Sequence, residues 1–418
     1  MNEELLESYI PQAGKEIIDQ LKQISKPLKD LHLVHINSTK AGGGVAEILY
    51  KMVPLTEALG VKTTWETIEG NAEFYQCTKS FHNGIQGNPI NISSHLLANY
   101  EEINKKNAEK LRPLLEEADL VLIHDPQPVP LITHFPNRKG KWIWRCHIDA
   151  SKPYAPIWKY LVKFISKYDA SIFSLPEFTH PLPHETYIIP PNIDPLSDKN
   201  KELDEEEIQK TLSLFGIDPD RPMILQVSRY DRFKDPIGVI KAYQLVKKYR
   251  PDLQLVLAGG GATDDPEGEA VLQEVRESMG DDPDIHLLLL PSDAHKTINA
   301  LQRAADIVLQ KSIKEGFGLT VAEAMWKAKP VIGGNTGGIR LQVHNWRNGF
   351  LVNTPEGAAH RIRYLLQNKD KAKEMGRIGK EFTRQRFLLT RQLLHYLTLM
   401  VSLRHDHSSR IVLNNLND

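Results

Sequence analysis

Short, nearly continuous runs of apolar and β-branched residues recur along this chain. Between them lie longer stretches in which apolar residues return every three or four positions. In the first half the runs are 31–37, 61–69, 120–125, 141–148, 170–175 and 187–190. In the second half they are 223–229, 253–259, 285–291, 306–312, 330–334 and 349–352. A strand that is apolar on both faces needs cover on both faces, so such runs alternating with helices predict parallel sheets. Two series of this kind predict an α/β protein of two Rossmann-like, doubly wound domains. The stretch Pro190-Pro191-Asn192-Ile193-Asp194-Pro195 is rich in turn formers, and the acidic residues from Glu202 to Glu207 open a new helix. The domains are therefore expected at 1–190 and 191–386. In sheets of this type ligands bind beyond the carboxyl ends of the strands. Two such domains facing a central cleft would hold the ligand there.

Composition narrows the class. The chain has 418 residues, 41% hydrophobic and 25% charged, which is ordinary for a soluble protein of this size. A formal net charge of −1 provides no global field for nucleic acid or for an anionic membrane, so neither partner is expected. The start, Met1-Asn2-Glu3-Glu4, is acidic where a secretory leader would be basic, and no run of about 18 apolar residues occurs. The expectation is a cytoplasmic protein. Two cysteines, Cys77 and Cys146, are too few for a disulfide framework or a four-thiolate zinc site.

Four motifs follow predicted strands. In Lys314-Glu315-Gly316-Phe317-Gly318-Leu319-Thr320-Val321-Ala322-Glu323 a glycine-punctuated turn leads into a helix. Such a turn offers free N–H groups and a positive helix end to an anion. A carboxylate on each side, Glu315 and Glu323, suits a phosphate flanked by hydroxyl groups, as in a nucleotide sugar. In Asn37-Ser38-Thr39-Lys40-Ala41-Gly42-Gly43-Gly44, three glycines between a strand and a helix permit close backbone approach to a ligand. This is neither a dinucleotide fingerprint nor a P-loop, and a plain flexible turn is the bland alternative. In the run from Gln226 to Asp235, Arg229 and Lys234 could neutralise a departing diphosphate without a metal, although surface cations are often merely solvated. Residues 333–338, Gly-Gly-Asn-Thr-Gly-Gly, either pack beside the Glu315 turn or act as a hinge.

The first half contributes His124-Asp125-Pro126-Gln127-Pro128 and Trp144-Arg145-Cys146-His147-Ile148-Asp149. An unpaired buried carboxylate is costly, so Asp125 is expected to face a ligand, accepting from sugar hydroxyls. His147 could do the same or donate from a ring nitrogen, or it could be a satisfied core histidine. Phe81-His82-Asn83 and Glu69-Gly70 form a weaker polar cluster for an acceptor pocket.

Together these residues resemble the retaining GT-B glycosyltransferases of family 4, over about residues 31–390. More closely, His35-Ile36-Asn37-Ser38-Thr39, Gly42–Gly44, 124–128, 144–149 and 315–327 resemble the glycosyltransferring trehalose synthases. That resemblance implies a reversible transfer of glucose from a nucleoside-diphosphate glucose (UDP-, ADP- or GDP-) to free glucose. It assigns the diphosphate to Arg229 and Lys234 and the ribose to Glu323. Glu315 with Gly316, Phe317, Gly318 and Leu319 would meet the transferred glucose and distal phosphate, helped by Gly43 and Gly44. His147 would contact the donor sugar, and Asp125, His82, Asn83 and Lys40 would serve the acceptor. No metal or cofactor is required, magnesium being at most a stimulant, and a homodimer is compatible with the sequence. The family's front-face chemistry means that the two glutamates are not a glycosidase acid/nucleophile pair. In that fold the chain end, here about 387–418, returns as a helix to the first domain. Other acceptors (a sugar phosphate, fructose, glycerate), a nucleotide-sugar 2-epimerase and a non-catalytic nucleotide-sugar-binding protein are the alternatives.

Overall fold

The computed structural model describes residues 3–40, 44–260 and 266–404. It divides into two compact units, one running to Pro190 and resuming at Leu389, the other spanning Pro191–Leu388.

The first unit is built on β1 (His32–Asn37), β2 (Lys62–Thr67), β3 (Leu120–His124), β4 (Lys141–Arg145), β5 (Ala170–Phe173) and β6 (Glu185–Ile188). They form one sheet in the order β2-β1-β3-β4-β5-β6, and every neighbouring pair is parallel. All five residues of β3 are buried, as a central strand covered on both faces requires. β6 lies two residues earlier than its apolar run suggests. It is an edge strand whose Glu185, Thr186, Tyr187 and Ile188 are exposed or half-buried, so its position is set by pairing with β5 rather than by hydrophobicity. The helix Leu389–Arg404 buries Leu389, Leu393, Tyr396, Leu397 and Met400 and packs on the helix Lys15–Ser25. The Arg404 guanidinium donates to the Pro27 carbonyl. Residues 405–418 lie outside the described residues.

The second unit carries β7 (Met223–Val227), β8 (Gln254–Gly259), β9 (Ile285–Leu289), β10 (Ile307–Gln310), β11 (Val331–Gly334) and β12 (Gly349–Val352), in the order β12-β11-β10-β7-β8-β9. Its strands send alternate side chains to two cores. Ile224, Leu255, Leu257, Ile307 and Leu309 pack beneath the helices Pro236–Lys247 and Pro355–Gln367. Leu225, Val256, Val308 and Val331 pack beneath Val321, Ala324 and Met325 of the helix Leu319–Trp326.

In each sheet the strand order reverses once, between β1 and β3 in the first unit and between β7 and β10 in the second. Loops leaving the carboxyl ends of strands at such a reversal diverge to opposite faces and open a crevice for ligands. Asp125, Arg229, Lys234 and Glu315 sit on the segments after these strands, and His147 follows the adjacent β4.

Candidate active site

In the second unit the site begins with β7. After Val227 the chain turns through Ser228 and Arg229, and the buried Tyr230 anchors it by donating its hydroxyl to the carbonyls of Leu257 (3.0 Å) and Leu288 (3.1 Å). A short 3₁₀ turn, Arg232–Lys234, follows, capped by the Asp231 carboxylate, which accepts the Lys234 N–H at 3.2 Å. Gln226 Nε2 holds the Lys234 carbonyl at 2.8 Å. The lysine backbone is thus fixed at both ends. Asp235 adopts a left-handed conformation, caps the next helix through the Gly238 N–H (3.1 Å) and pairs with Lys311.

That fixed backbone sends Lys234 Nζ to Glu315 Oε2 at 2.7 Å, with both side chains largely buried. The same oxygen accepts from Ser312 Oγ (3.1 Å) and Gln310 Nε2 (3.3 Å). Gln310 also takes the Thr320 hydroxyl on its Oε1 at 3.0 Å, tying the carboxylate to the first turn of Leu319–Trp326. Gly318, with φ of 82°, is the N-cap of that helix, a left-handed conformation that glycine adopts without steric cost. Arg229 differs from Lys234: its side chain is 72% exposed and pairs with Asp231 at 3.4 Å. One of the two expected diphosphate cations is therefore held in a buried pair and the other is exposed.

The glycine run at 333–338 packs beside the Glu315 turn. Gly338 N–H donates to the Gly316 carbonyl at 3.1 Å, and Gly337 (φ 43°) lies against the Glu315 carbonyl so closely that a Cβ there would collide with it. Gln342 braces the same turn from the other side, its Nε2 donating to Phe317 O (2.7 Å), Gly338 O (3.2 Å) and Gly318 O (3.3 Å). Gln310 and Gln342 are positioning residues absent from the sequence-based site. Their only signal was a buried-looking glutamine within an apolar stretch. Gly316 stands in open space, and the Phe317 ring is buried against Phe387. Glu323 is buried one helical turn before Lys327, whose Nζ donates to Asn200 Oδ1 (3.1 Å) and the Glu323 carbonyl (3.2 Å). Burial pulls the Lys327 amine down to about 7, against the partial support of the Glu323 charge.

In the first unit three histidines form a chain across the carboxyl ends of β1, β3 and β4. His35 Nδ1 lies 3.0 Å from His124 Nε2, and His124 Nδ1 lies 3.0 Å from His147 Nε2. Burial holds His35 down to about 3 and keeps His124 and His147 well below the usual histidine range. The Arg145 guanidinium adds to the effect on both. Asp125 has a φ of 63°, and its Oδ1 accepts the His147 N–H at 2.8 Å while its carbonyl takes Trp144 Nε1 at 3.0 Å. Burial raises its carboxyl to about 6, moderated by that N–H and by Arg145. Asp125 and His147 are brought together, as neighbours of one turn.

The remaining expected residues are placed separately. Lys40 is exposed, 3.6 Å from Glu66 and above the Trp65 ring. Gly44 opens the helix Gly44–Ala58, while Gly42 and Gly43 lie outside the described residues. His82 is exposed and Asn83 half-buried on the helix Ala72–Ile85. The polar cluster expected around them loses Phe81, which is fully buried against Tyr100 and Tyr160, and Glu69, which pairs with Lys110 at 2.5 Å. Among the described residues no group of three or more His, Cys, Asp or Glu is placed to hold a metal ion, and no helix is long and apolar enough to cross a membrane.

Two doubly wound parallel sheets, with these charged loops at their strand ends, define a GT-B glycosyltransferase. A sucrose-phosphate synthase from Thermosynechococcus elongatus has the same fold, with a TM-score of 0.68 at 17% identity over 90% of this chain and 99% of that one. The family described as "Trehalose synthase, N-terminal domain" matches residues 35–180, and "Glycosyl transferases group 1" matches 207–382. Trehalose synthase of Thermococcus litoralis is 48% identical over 401 residues, 95% of this chain and 97% of the relative. That of Rubrobacter xylanophilus is 43% identical over 396 residues, 93% and 94% of the two chains. The chain belongs to the trehalose synthase family, and it is a glycosyltransferase acting on sugars.

Proposed function

We propose that the protein is a retaining glycosyltransferase that moves glucose from a nucleoside-diphosphate glucose to free glucose, forming trehalose reversibly. The observation that carries this is the Lys234–Glu315 pair at the strand-order reversal of the second unit, in a chain sharing 48% identity with a trehalose synthase along nearly its whole length. Lys234 and Arg229 bind the diphosphate and neutralise the charge that develops as it departs. The Gly316–Leu319 amides receive the distal phosphate at the positive end of Leu319–Trp326. Glu315 accepts from hydroxyls of the transferred glucose, and Glu323 from those of the ribose. His147 and Asp125 bind sugar hydroxyls in the first unit, with Lys40, His82 and Asn83 serving the acceptor.

In the transfer the bond from the anomeric carbon to the phosphate oxygen breaks and a bond to the acceptor oxygen forms on the same face. The acceptor's proton passes to the departing phosphate oxygen. No metal is needed for this, because fixed cations carry the charge compensation. The protein works in the cytoplasm on small-molecule substrates, as a monomer or a homodimer.

The test is incubation with UDP-, ADP- or GDP-glucose, with and without free glucose and with EDTA. The expected result is glucose-dependent release of nucleoside diphosphate, a non-reducing disaccharide with both anomeric centres α, and no loss to the chelator. Release that depends instead on a sugar phosphate, fructose or glycerate changes the acceptor. Epimerised sugar without any acceptor overturns the transferase reading.

A further inference from the structure

The three-histidine chain ends differently on its two sides. His35 Nε2 is buried and has no hydrogen-bond partner among the described residues. His147, at the opposite end, is half-buried, and its Nδ1 makes no hydrogen bond to any described residue. All three rings are held neutral by burial, so each carries one proton and each ring–ring contact holds one donor and one acceptor. Only two arrangements satisfy both contacts. In one, every ring is protonated at Nδ1 and the protons point outward through His147. In the other, every ring is protonated at Nε2, the protons point inward, and His147 presents a bare Nδ1.

The sealed end does not choose between them. Either arrangement leaves one His35 nitrogen unsatisfied, as an acceptor or as a donor, at a comparable cost in both cases. It does hinder interconversion, because a proton would have to enter or leave at a buried nitrogen. The choice falls to the local charge. Arg145 is fully buried, pairs in register with His124 across β3 and β4, and lies two residues before His147. Its positive charge bears on His124 and His147, whereas burial is what acts on His35. A fixed cation beside the outer two rings drives the chain's protons inward. The neutral imidazole side chain also favours Nε2–H intrinsically, so both influences agree.

We propose that the chain His35–His124–His147, oriented by the positioning residue Arg145, holds His147 in the Nε2–H tautomer, making its Nδ1 a permanent hydrogen-bond acceptor for an alcohol O–H of a sugar. The ligand class rests on the function proposed above; the tautomer does not. In this arrangement His147 Nε2 donates to His124 Nδ1, and His124 Nε2 donates to His35 Nδ1. His147 then distinguishes a hydroxyl from a group that can only accept, and a deoxy sugar lacking that hydroxyl loses the contact.

The test is nitrogen-15 NMR of histidine-labelled full-length protein without substrate near neutral pH, assigned with single His→Gln variants. The expected spectrum has His147 as one neutral tautomer, protonated at Nε2 with an unprotonated shift at Nδ1. In Arg145→Met the orienting charge is gone and only the intrinsic preference remains, so His147 shows a mixture of tautomers and its Nδ1 moves towards a protonated shift. Arg145→Lys, which keeps a positive charge there, returns the wild-type pattern. A wild-type His147 protonated at Nδ1, or exchanging between tautomers, overturns the proposal, as does an unchanged single tautomer in folded Arg145→Met. The wild-type spectrum decides even if that variant does not fold. If the tautomer is found as stated and no trehalose forms, the functional reading fails and the lock stands.

Discussion

Lys234 and Glu315, 81 positions apart, meet through a 2.7 Å ion pair, and the glutamate oxygen involved also receives Ser312 and Gln310. The pair holds a carboxylate at the start of a helix, where ligand phosphate is expected. Without the lysine, that carboxylate would be repelled by the same ligand and buried without a counter-ion.

The pair should therefore separate stability from activity. Lys234→Met strands the Glu315 charge and is expected to cost about 3 kcal/mol of stability. Glu315→Gln strands the Lys234 charge instead, but keeps an amide oxygen to accept from Lys234, Ser312 and Gln310, so it should cost less stability than Lys234→Met while lowering kcat/KM at least a hundredfold. The double variant should recover the stability lost in Lys234→Met and stay inactive. Thermal unfolding and initial rates on the three proteins check this; a double variant no more stable than Lys234→Met refutes the stranded-charge account.

Gly337 and Gly316 test the shape of the same turn. A Cβ at Gly337 meets the Glu315 carbonyl at a φ of 43°, whereas one at Gly316 meets nothing within 4 Å. Gly337→Ala should destabilise the protein by roughly 1–3 kcal/mol and displace Glu315, with loss of activity. Gly316→Ala should fold as stably as the wild type, so any loss of turnover in that variant reports on ligand approach. Equal melting temperatures for the two variants would count against this packing.

Lys327 predicts a pH dependence of stability. Its folded amine titrates near 7 against 10.5 for the ordinary side chain, because burial disfavours the charge. Between those values the unfolded chain holds a proton that the folded one lacks, so stability rises as pH climbs from 7 towards 10. Below 7 both states are protonated and the burial cost is fully present. Lys327→Met should remove that rise, by on the order of 1 kcal/mol or more, in urea titrations at pH 7 and 9. A variant with the wild-type slope would sink the assignment.

Asp125 acts in the acid range with the opposite outcome for folding. Its folded carboxyl is raised to about 6 from the ordinary 3.8, so between these values the folded state holds the extra proton. This contribution to stability is present at pH 4, falls as pH rises to 6, and is absent above. The neutral histidines oppose it as pH falls, so the comparison must be made against a variant. Asp125→Asn, which keeps an acceptor for the His147 N–H, should be more stable than wild type at pH 7.5, with the difference shrinking towards pH 4. A difference independent of pH would contradict the raised carboxyl.

Much of the fold was legible because a parallel strand buried on both faces must be apolar along its length. All twelve runs became strands, and those ending in Asn37, His124, Arg145 and Gln310 place buried polar side chains at the strand ends. The glycine-punctuated turn before Leu319 was legible for a similar local reason, since Gly318 needs φ of 82°. β6 was misplaced because an edge strand need not be apolar. Phe81 and Glu69 were grouped with His82 by proximity in sequence, but helix geometry and pairing sent them to the core and to Lys110.

Sequence by itself determined the doubly wound class and the strand inventory, and it singled out the side chains Arg229, Lys234, Glu315, Glu323, Asp125 and His147, because each depends on a local pattern or a side-chain type. Tertiary structure alone decided that Lys234 is clamped while Arg229 is exposed, that residues 333–338 buttress the Glu315 turn, and that Gln310 and Gln342 brace it. It also decided that His35, 89 positions from His124, starts the chain ending at His147. These relations join strands adjacent in a sheet but distant along the chain. Strand order, which sequence spacing does not encode, brings them within 3 Å.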